Sequence, residues 1–208
     1  MERFRSVMAQ VLCASSPLSA KSLDEMRRLE SSVQKNEVHL VVKDMGSLLS
    51  GVYNPASPIR PLHTSFRDFL TDRDRSQKWF VDPTAGHPII ALGCFRVMNA
   101  HLSFNICGLK TSYIPNRDLE PHVTESVPES LSYAACNWKD HLPNANPPSD
   151  LQNELSTFLQ EKLLFWFELL SLLNCVNRAG PSLEAALECY DVSLVPYLFV
   201  SCSEPRSP

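Results

Sequence analysis

Apolar residues recur at helical spacing through the first part of the chain. Between residues 3 and 14, five large apolar side chains fall on one face of a helix: Phe4, Val7, Met8, Val11 and Leu12. Intervals of three and four predict an amphipathic helix here and favour it over the apolar segment of a signal peptide. Pro17 interrupts the pattern, and a second short helix is predicted from Ser22 to Leu29.

Residues 36–49 repeat the same pattern. Their apolar side chains again recur at intervals of three and four: Val38, Val41, Val42, Met45, Leu48 and Leu49. This spacing predicts a third helix, which Gly51 would end. Two short extended segments, 52–53 and 59–62, then flank the turn-rich residues 54–58 and predict a small β-hairpin. Helices followed by a small hairpin are the layout of a winged helix.

The remainder of the chain predicts a helical bundle. Residues 87–102 are apolar around most of the helix circumference, so this helix should be buried. A further helix is predicted from 128 to 141, and the residues 144–149, rich in Pro and Asn, form the clearest linker. Residues 150–176 are the most apolar helical region, which must be covered by the 87–102 helix or by another chain. Three tryptophans are predicted to anchor the core: Trp79, Trp138 and Trp166.

These elements predict a mainly α fold with three parts. Residues 1–75 form a winged-helix-like part with a small β-hairpin, and residues 76–190 form an α-helical bundle that acts as a linker domain. Residues 191–208 match neither a helix pattern nor a repeat and are predicted to be a poorly structured tail.

Charge is distributed unevenly along the 208 residues. Residues 1–116 carry 14 Lys and Arg against 10 Asp and Glu, whereas residues 117–208 carry 5 against 13. Halves of opposite sign are expected to face each other or a protein partner. In the basic half, Arg67, Arg73 and Arg75 alternate with aspartates, so the sequence predicts no groove for nucleic acid.

Cysteine usage and hydropathy bear on the compartment. The seven cysteines occur singly, with no Cys-x-x-Cys and no regular spacing, which predicts a reducing environment and a cytoplasmic location. The longest apolar stretch, residues 163–173, is interrupted by Glu168 and is too short to span a bilayer. We therefore expect no membrane partner.

A histidine precedes the start of an amphipathic helix in residues 61–70. Pro61 disfavours continuation of a regular strand, and Thr64 or Ser65 is predicted to cap the helix that follows. The helix would place three apolar side chains on one face: Phe66, Phe69 and Leu70. The segment thus predicts a strand end, a cap and a short helix within ten residues.

The other face of this helix would carry Arg67 and Asp68, both exposed. His63 would lie among the free backbone N–H groups of the helix start, a place that suits an anion. A histidine that merely fills a turn would have the same local sequence, so the residues alone leave both interpretations open.

The segment 63–69, His-Thr-Ser-Phe-Arg-Asp-Phe, resembles the "His-x-Ser/Thr-Phe-x-Asp/Glu-Phe" segment of NACHT-family NTPases. These are the STAND ATPases of fungal and animal innate-immunity-like receptors. Residues 11–19 are similar to the opening of the winged-helix domain in fungal members. Residues 131–142 and 162–172 are similar to the helical region that joins the NACHT module to WD-type repeats in basidiomycete proteins, and the blocks follow in the same order.

The resemblance implies a function. In that family the histidine contacts a phosphate of the nucleotide in the resting state, which implies a phosphate-sensor role for His63, with Ser65, Phe66, Asp68 and Phe69 as supporting residues of the motif. It implies a regulatory or scaffold fragment that helps hold a nucleotide-dependent switch closed and links it to a C-terminal sensor. ATP/ADP or GTP/GDP would bind only with a complete NACHT module, in cis or in trans.

The chain lacks the phosphate-binding loop of such an NTPase. Gly46 and Gly51 have the required spacing, but Val52 and Tyr53 follow where Lys and Ser/Thr are needed. We therefore predict no catalytic residues and no cofactor for this chain alone. The six histidines form no His-x-x-x-His pair, and Cys136 and His141 would be misaligned on a helix, so no metal site is predicted.

Other functions stay open as alternatives. The chain could be a stand-alone helical adaptor that binds an intact NACHT paralogue through residues 150–176. A small hydrolase would need more than Ser65 beside His63, because the sequence has no nucleophile elbow. A DNA-binding winged helix would need base-reading side chains, and residues 36–49 offer mainly Asn36 and Lys43.

Overall fold

The computed structural model describes residues 1–28, 36–111, 113, 115, 118–144 and 149–189. The chain is mainly helical, with one small antiparallel hairpin, as predicted. The α-helices are α1 (Glu2–Cys13), α2 (Ala20–Arg28), α3 (Glu37–Val42), α4 (Thr64–Thr71), α5 (Arg73–Ser76), α6 (His87–His101), α7 (Glu120–Ser126), α8 (Glu129–Asn137), α9 (Ser149–Thr157), α10 (Leu163–Leu172) and α11 (Ala179–Cys189). The predicted tail 191–208 and most of the predicted linker lie outside the described residues.

Short irregular helices connect these elements. A π-helical segment, Phe158–Lys162, joins α9 to α10. Turns of 3₁₀-helix occupy Gln77–Trp79, Trp138–Asp140, Leu142–Asn144 and Val176–Arg178. None of the described helices has both the length and the apolarity needed to cross a membrane.

The second helix begins earlier than predicted. Ser19 precedes α2, and its Oγ accepts a hydrogen bond from the Ser22 backbone N–H at 3.2 Å. A serine hydroxyl that reaches the third N–H of a helix is a typical N-cap. The prediction that the helix starts at Ser22 is therefore wrong, because Ser19 already caps it.

The third helix and the hairpin also differ from prediction. α3 ends at Val42, and the chain continues through turns to β1 (Leu49–Ser50), which pairs with β2 (Arg60–Pro61). Leu49 lies opposite Pro61 and Ser50 opposite Arg60. Gly51 turns the chain directly after β1 with a φ of 78°, a conformation that favours glycine. The hairpin exists, but its first strand is 49–50 rather than 52–53, and the predicted helix 36–49 is too long.

Helix α6 is the centre of the structure, as its apolar sequence predicts. It packs against α1, α2, α8 and α9, and α2 also contacts α8. Phe95 contacts Trp138 and Phe158, with ring centroids 5.2 and 5.6 Å apart. At Gly93 a Cβ would lie 2.7 Å from Met26 Cβ, so glycine allows α2 to approach α6 closely.

The most apolar region is covered by this chain itself. Residues 149–172 form a nearly continuous helix through α9, the π segment and α10, and Phe158, Trp166 and Leu169 are buried completely. The Trp166 Nε1–H donates to the Ala135 carbonyl at 2.9 Å, which fixes α10 against α8. Leu164 is 78% exposed. The helix predicted to reach residue 176 ends four residues earlier.

Two helices and one tryptophan were not predicted correctly. Helices α7 and α11 lie in segments without a strong apolar period, although buried Leu119 and Val127 flank α7. Trp79 is 40% exposed and is not a core anchor, whereas Trp138 and Trp166 are. The division of the chain near residue 75 stays a prediction. Buried side chains on both sides of this point belong to the same hydrophobic cluster.

Candidate functional site

His63 is the N-cap of α4. The Ser65 backbone N–H donates to His63 Nδ1 at 3.1 Å, and Ser65 Oγ lies 2.8 Å from the same nitrogen. The backbone of His63 is extended, with φ −144° and ψ 145°. The cap was predicted at Thr64 or Ser65, and this is wrong because the imidazole itself supplies the acceptor.

This cap determines which ring nitrogen carries the proton. Because His63 Nδ1 accepts the Ser65 N–H, the proton of the neutral ring lies on Nε2. His63 is exposed, and its Nε2 makes no hydrogen bond to any residue that the structure describes. The ring therefore presents an N–H donor to the solvent at the start of a helix.

The remaining motif residues divide between two faces of α4. Arg67 and Asp68 are exposed, as predicted. Phe66 and Phe69 are half-buried and line an apolar groove of about 410 Å³. The other residues that line this groove come from α1, α3, α4 and the segments that follow α3 and α5: Phe4, Val41, Met45, Leu48, Leu70 and Trp79. The structure thus places the exposed histidine and an apolar groove on the same short helix.

The groove includes aromatic side chains that remain accessible. Phe4 and Trp79 pack edge to face with centroids 5.3 Å apart. Leu48 is 42% exposed and Trp79 is 40% exposed. Since large apolar side chains that cluster on a surface often mark a contact site, this groove is a candidate protein-binding surface.

Ser65 and His63 do not form a complete hydrolytic site. Their 2.8 Å separation is suitable for a nucleophile and a base. However, Nδ1 of His63 also accepts the Ser65 backbone N–H, and no carboxylate among the described residues bonds to the ring. The pair is better explained as a helix cap.

A second cluster brings together Cys13, His87 and His141. Their ligand-type atoms, one sulfur and two ring nitrogens, all lie within 4.8 Å of one another. The Nδ1 atoms of His87 and His141 are 3.0 Å apart. Cys13 and His87 are half-buried, whereas His141 is completely buried. We call these three residues the Cys-His cluster.

Three separate elements supply the Cys-His cluster. Cys13 is the last residue of α1, His87 is the first residue of α6, and His141 follows the 3₁₀ turn Trp138–Asp140. Gly86 makes the approach possible, because a Cβ there would lie 2.5 Å from Cys13 Sγ and equally close to the Ala9 carbonyl oxygen. Packing of α1 against α6 therefore sets the position of the thiol.

Hydrogen bonds orient the buried histidine. The Tyr133 hydroxyl lies 2.8 Å from His141 Nε2 and accepts the Ser15 backbone N–H at 3.0 Å. Burial, with a smaller contribution from His87, lowers the pKa of His141 to about 4. Burial also lowers the pKa of His87 and raises the pKa of Cys13 to about 12. In the absence of an ion, all three groups are therefore neutral at pH 7.

This cluster was not predicted from the sequence. His87 and His141 are 54 positions apart, whereas metal sites that can be predicted from a sequence have ligands at short spacings. A signal was nevertheless present: His141 follows the buried face of α8, and a buried histidine requires partners.

No protein-family model, curated protein or solved structure matches this chain.

Proposed function

We propose that this chain is a non-catalytic regulatory part of a NACHT-type signalling NTPase. In this proposal His63 contacts a phosphate of the nucleotide that the NTPase module holds, and the contact keeps the switch closed. The observation that carries the proposal is the exposed imidazole of His63. Its Nδ1 accepts the Ser65 backbone N–H, which leaves Nε2 as the N–H donor that faces the solvent. A fixed N–H donor beside a helix start is suited to a phosphate oxygen.

The groove beside His63 supports the same role. A histidine can monitor a nucleotide only if the module that binds the nucleotide docks next to it. The groove formed with Phe66 and Phe69 lies on α4 itself and is open to solvent, so an apolar surface of the NTPase module could bind there. The motif residues would then act as one unit: His63 reads the phosphate, and the two phenylalanines hold the docking surface.

The chain would have no NTPase activity of its own. The 208 residues contain no Gly-x-x-x-x-Gly-Lys-Ser/Thr sequence to cradle phosphates. ATP/ADP or GTP/GDP would therefore bind to a complete NACHT module, in cis or in trans. We further propose that the helices after α6 connect the switch to a C-terminal sensor such as WD-type repeats, and that the protein acts in the cytoplasm.

A second function is a stand-alone adaptor that binds an intact NACHT paralogue. It needs a surface other than residues 150–176. Residues 150–176 are largely covered by α6 and α8, which leaves Leu164 as their most exposed large apolar side chain among the described residues. The groove with Leu48 and Trp79 is the surface that an adaptor would use. In this case the groove binds a partner and His63 has no role in the nucleotide state.

Nucleotide release distinguishes the two functions. The purified chain is mixed with a NACHT module from a basidiomycete protein, loaded with a fluorescent ADP, and the release rate is measured. We expect the unmodified chain to slow nucleotide release. With the His63→Ala variant, release should be about 10- to 100-fold faster than with the unmodified chain, which is the contribution of one hydrogen bond to a charged group. His63→Asn preserves a capping side chain, and His122→Ala removes an exposed histidine elsewhere.

The outcomes separate clearly. If His63→Ala and His63→Asn both lose the effect while His122→Ala retains it, the phosphate contact is supported. If His63→Ala slows release as well as the unmodified chain does, the proposed sensor role is wrong. The adaptor would be favoured if Phe69→Ser no longer bound the NACHT module, while His63→Ala bound it fully and left the release rate the same as with the unmodified chain.

A further inference from the structure

The Cys-His cluster has the composition of a transition-metal site. Thiolate sulfur and imidazole nitrogen are the ligands that Zn²⁺ prefers in proteins, and a site with three protein ligands leaves one position for water or another ligand. Cys13, His87 and His141 offer these three ligand atoms from separate parts of the fold. This feature is independent of the proposed regulatory role of His63.

The distances agree with tetrahedral coordination. With Zn–N bonds of about 2.0 Å and a Zn–S bond of about 2.3 Å, the ligand atoms of a tetrahedral site lie roughly 3.3 to 3.6 Å from one another. The His87 and His141 Nδ1 atoms are 3.0 Å apart, and the sulfur lies within 4.8 Å of both rings. Movements of a few tenths of an ångström for the rings and of up to about 1.3 Å for the thiol would complete the geometry.

The surroundings of the cluster are those of a built site. Metal-binding histidines usually hydrogen-bond through their second nitrogen, which fixes the tautomer and the ring orientation. Tyr133 provides this contact for His141 Nε2 at 2.8 Å, and the Ser15 backbone N–H holds the Tyr133 oxygen in place. His141 therefore directs Nδ1 towards His87 and Cys13. His87 and Cys13 are half-buried, which leaves a route for an ion from the solvent.

We propose that Cys13, His87 and His141 bind one Zn²⁺ ion, with the fourth coordination position open to an exogenous ligand. The ion would connect the end of α1, the start of α6 and the segment after α8. Without the ion, His87 Nδ1–H donates to His141 Nδ1, His141 carries its own proton on Nε2 beside Tyr133, and the thiol keeps its proton. On binding, the thiol proton leaves to solvent and the His87 proton moves from Nδ1 to Nε2, so that each ion bound releases one proton.

The competing explanation is a hydrogen bond between the two histidines with no ion. That explanation accounts for the 3.0 Å contact of His87 and His141, and in it the Cys13 thiol simply donates to the Gln10 carbonyl at 3.8 Å, where the absent side chain of Gly86 leaves room for it. The two explanations differ in one property, which is a thiolate bonded to the metal.

Cobalt(II) absorption tests the proposal. The 208-residue chain is freed of metal with a chelator and titrated with Co²⁺, because a cobalt–thiolate bond gives an intense charge-transfer absorption. Added Zn²⁺ should displace the Co²⁺. We expect one Co²⁺ per chain. Cys13→Ser should abolish the charge-transfer band, and His87→Gln should weaken binding by about 100-fold or more. Tyr133→Phe should weaken binding by about 10- to 100-fold.

Matched controls use the same residue types elsewhere. Cys189→Ser and His122→Gln remove a cysteine and a histidine outside the cluster and should leave the affinity within about twofold of the unmodified chain. His87 is only half-buried, so His87→Gln remains informative if His141→Gln fails to fold. No charge-transfer band at equimolar Co²⁺, or a band that persists in Cys13→Ser, would overturn the proposal.

Discussion

Replacing Arg27 by methionine should destabilise the chain strongly, because it leaves a buried carboxylate without its main partner. The guanidinium of Arg27 on α2 lies 2.9 Å from Glu37 Oε2 at the start of α3. Arg27 is 7% exposed and Glu37 is 8% exposed. Arg27 Nη1 also donates to Gln10 Oε1 at 2.6 Å, so the guanidinium links three helices. Removing it affects the packing of the whole N-terminal region.

The magnitude follows from the burial of the pair. Breaking a buried ion pair by removing one partner costs about 3 to 5 kcal/mol. Arg3 lies 3.6 Å from the other oxygen of Glu37 and is exposed, so it compensates in part and favours the lower end, about 3 kcal/mol. For a chain of this size each kcal/mol lowers the melting temperature by roughly 2 to 4 °C, which predicts a decrease of about 6 to 12 °C.

A double-mutant cycle in urea measures the interaction itself. Arg27→Met with Glu37→Leu removes both charges and should recover part of the loss, because two apolar side chains can replace a buried pair at little cost while the buried Gln10 Oε1 still lacks its donor. Lys21→Met, an exposed site on the same helix, serves as the control and should change stability by less than about 0.5 kcal/mol. A coupling free energy below about 0.5 kcal/mol between Arg27 and Glu37 would refute the reasoning.

Further predictions concern the core, the thiols and the buried histidine. Phe158→Ala should cost about 3 to 5 kcal/mol in urea unfolding because its ring packs between other aromatic rings, whereas Leu164→Ala on the exposed side should cost less than about 0.5 kcal/mol. Mild oxidation should join Cys136 and Cys175, whose sulfurs are 2.9 Å apart, with a mass loss of two hydrogens. Burial raises the pKa of Cys136 to about 12, so the reaction should accelerate as pH rises. In protein freed of metal with a chelator, the pKa of His141 is about 6.5 in the unfolded chain and about 4 in the folded chain. The free energy of unfolding should therefore decrease by up to about 3 kcal/mol as pH falls from about 6.5 to about 4, and His141→Gln should remove this dependence.

Burial could be predicted from the sequence for helices whose residues are apolar around most of their circumference. Helix α6 is apolar around most of its circumference and is largely buried, whereas the helix that contains Trp166 is buried on the face of Trp166 and Leu169 and leaves Leu164 exposed. In residues 36–49 the apolar spacing continues past the end of α3, and Met45 and Leu48 line the groove from the turns that follow the helix. Apolar spacing indicates which side chains are covered but not whether they belong to a helix or to turns, so the predicted helix was too long.

Residues with two competing roles were harder to assign. Ser19 and Ser22 can both cap a helix, and both hydroxyls donate hydrogen bonds to the Glu129 carboxylate at the start of α8. The Ser19 backbone N–H donates to the same carboxylate, so the residue that forms the cap is also held by a contact more than one hundred positions away in the chain. Local sequence therefore predicts that a cap exists near this point, but it does not record this tertiary contact.

The two candidate sites differ in how far apart their residues lie in the sequence. His63 was predicted as a candidate because it directly precedes a helix start and because residues 63–69 resemble a family motif, so one short segment contains the whole arrangement. The Cys-His cluster forms only when α1, α6 and the end of α8 pack together, so no short spacing in the sequence brings its three residues close to one another.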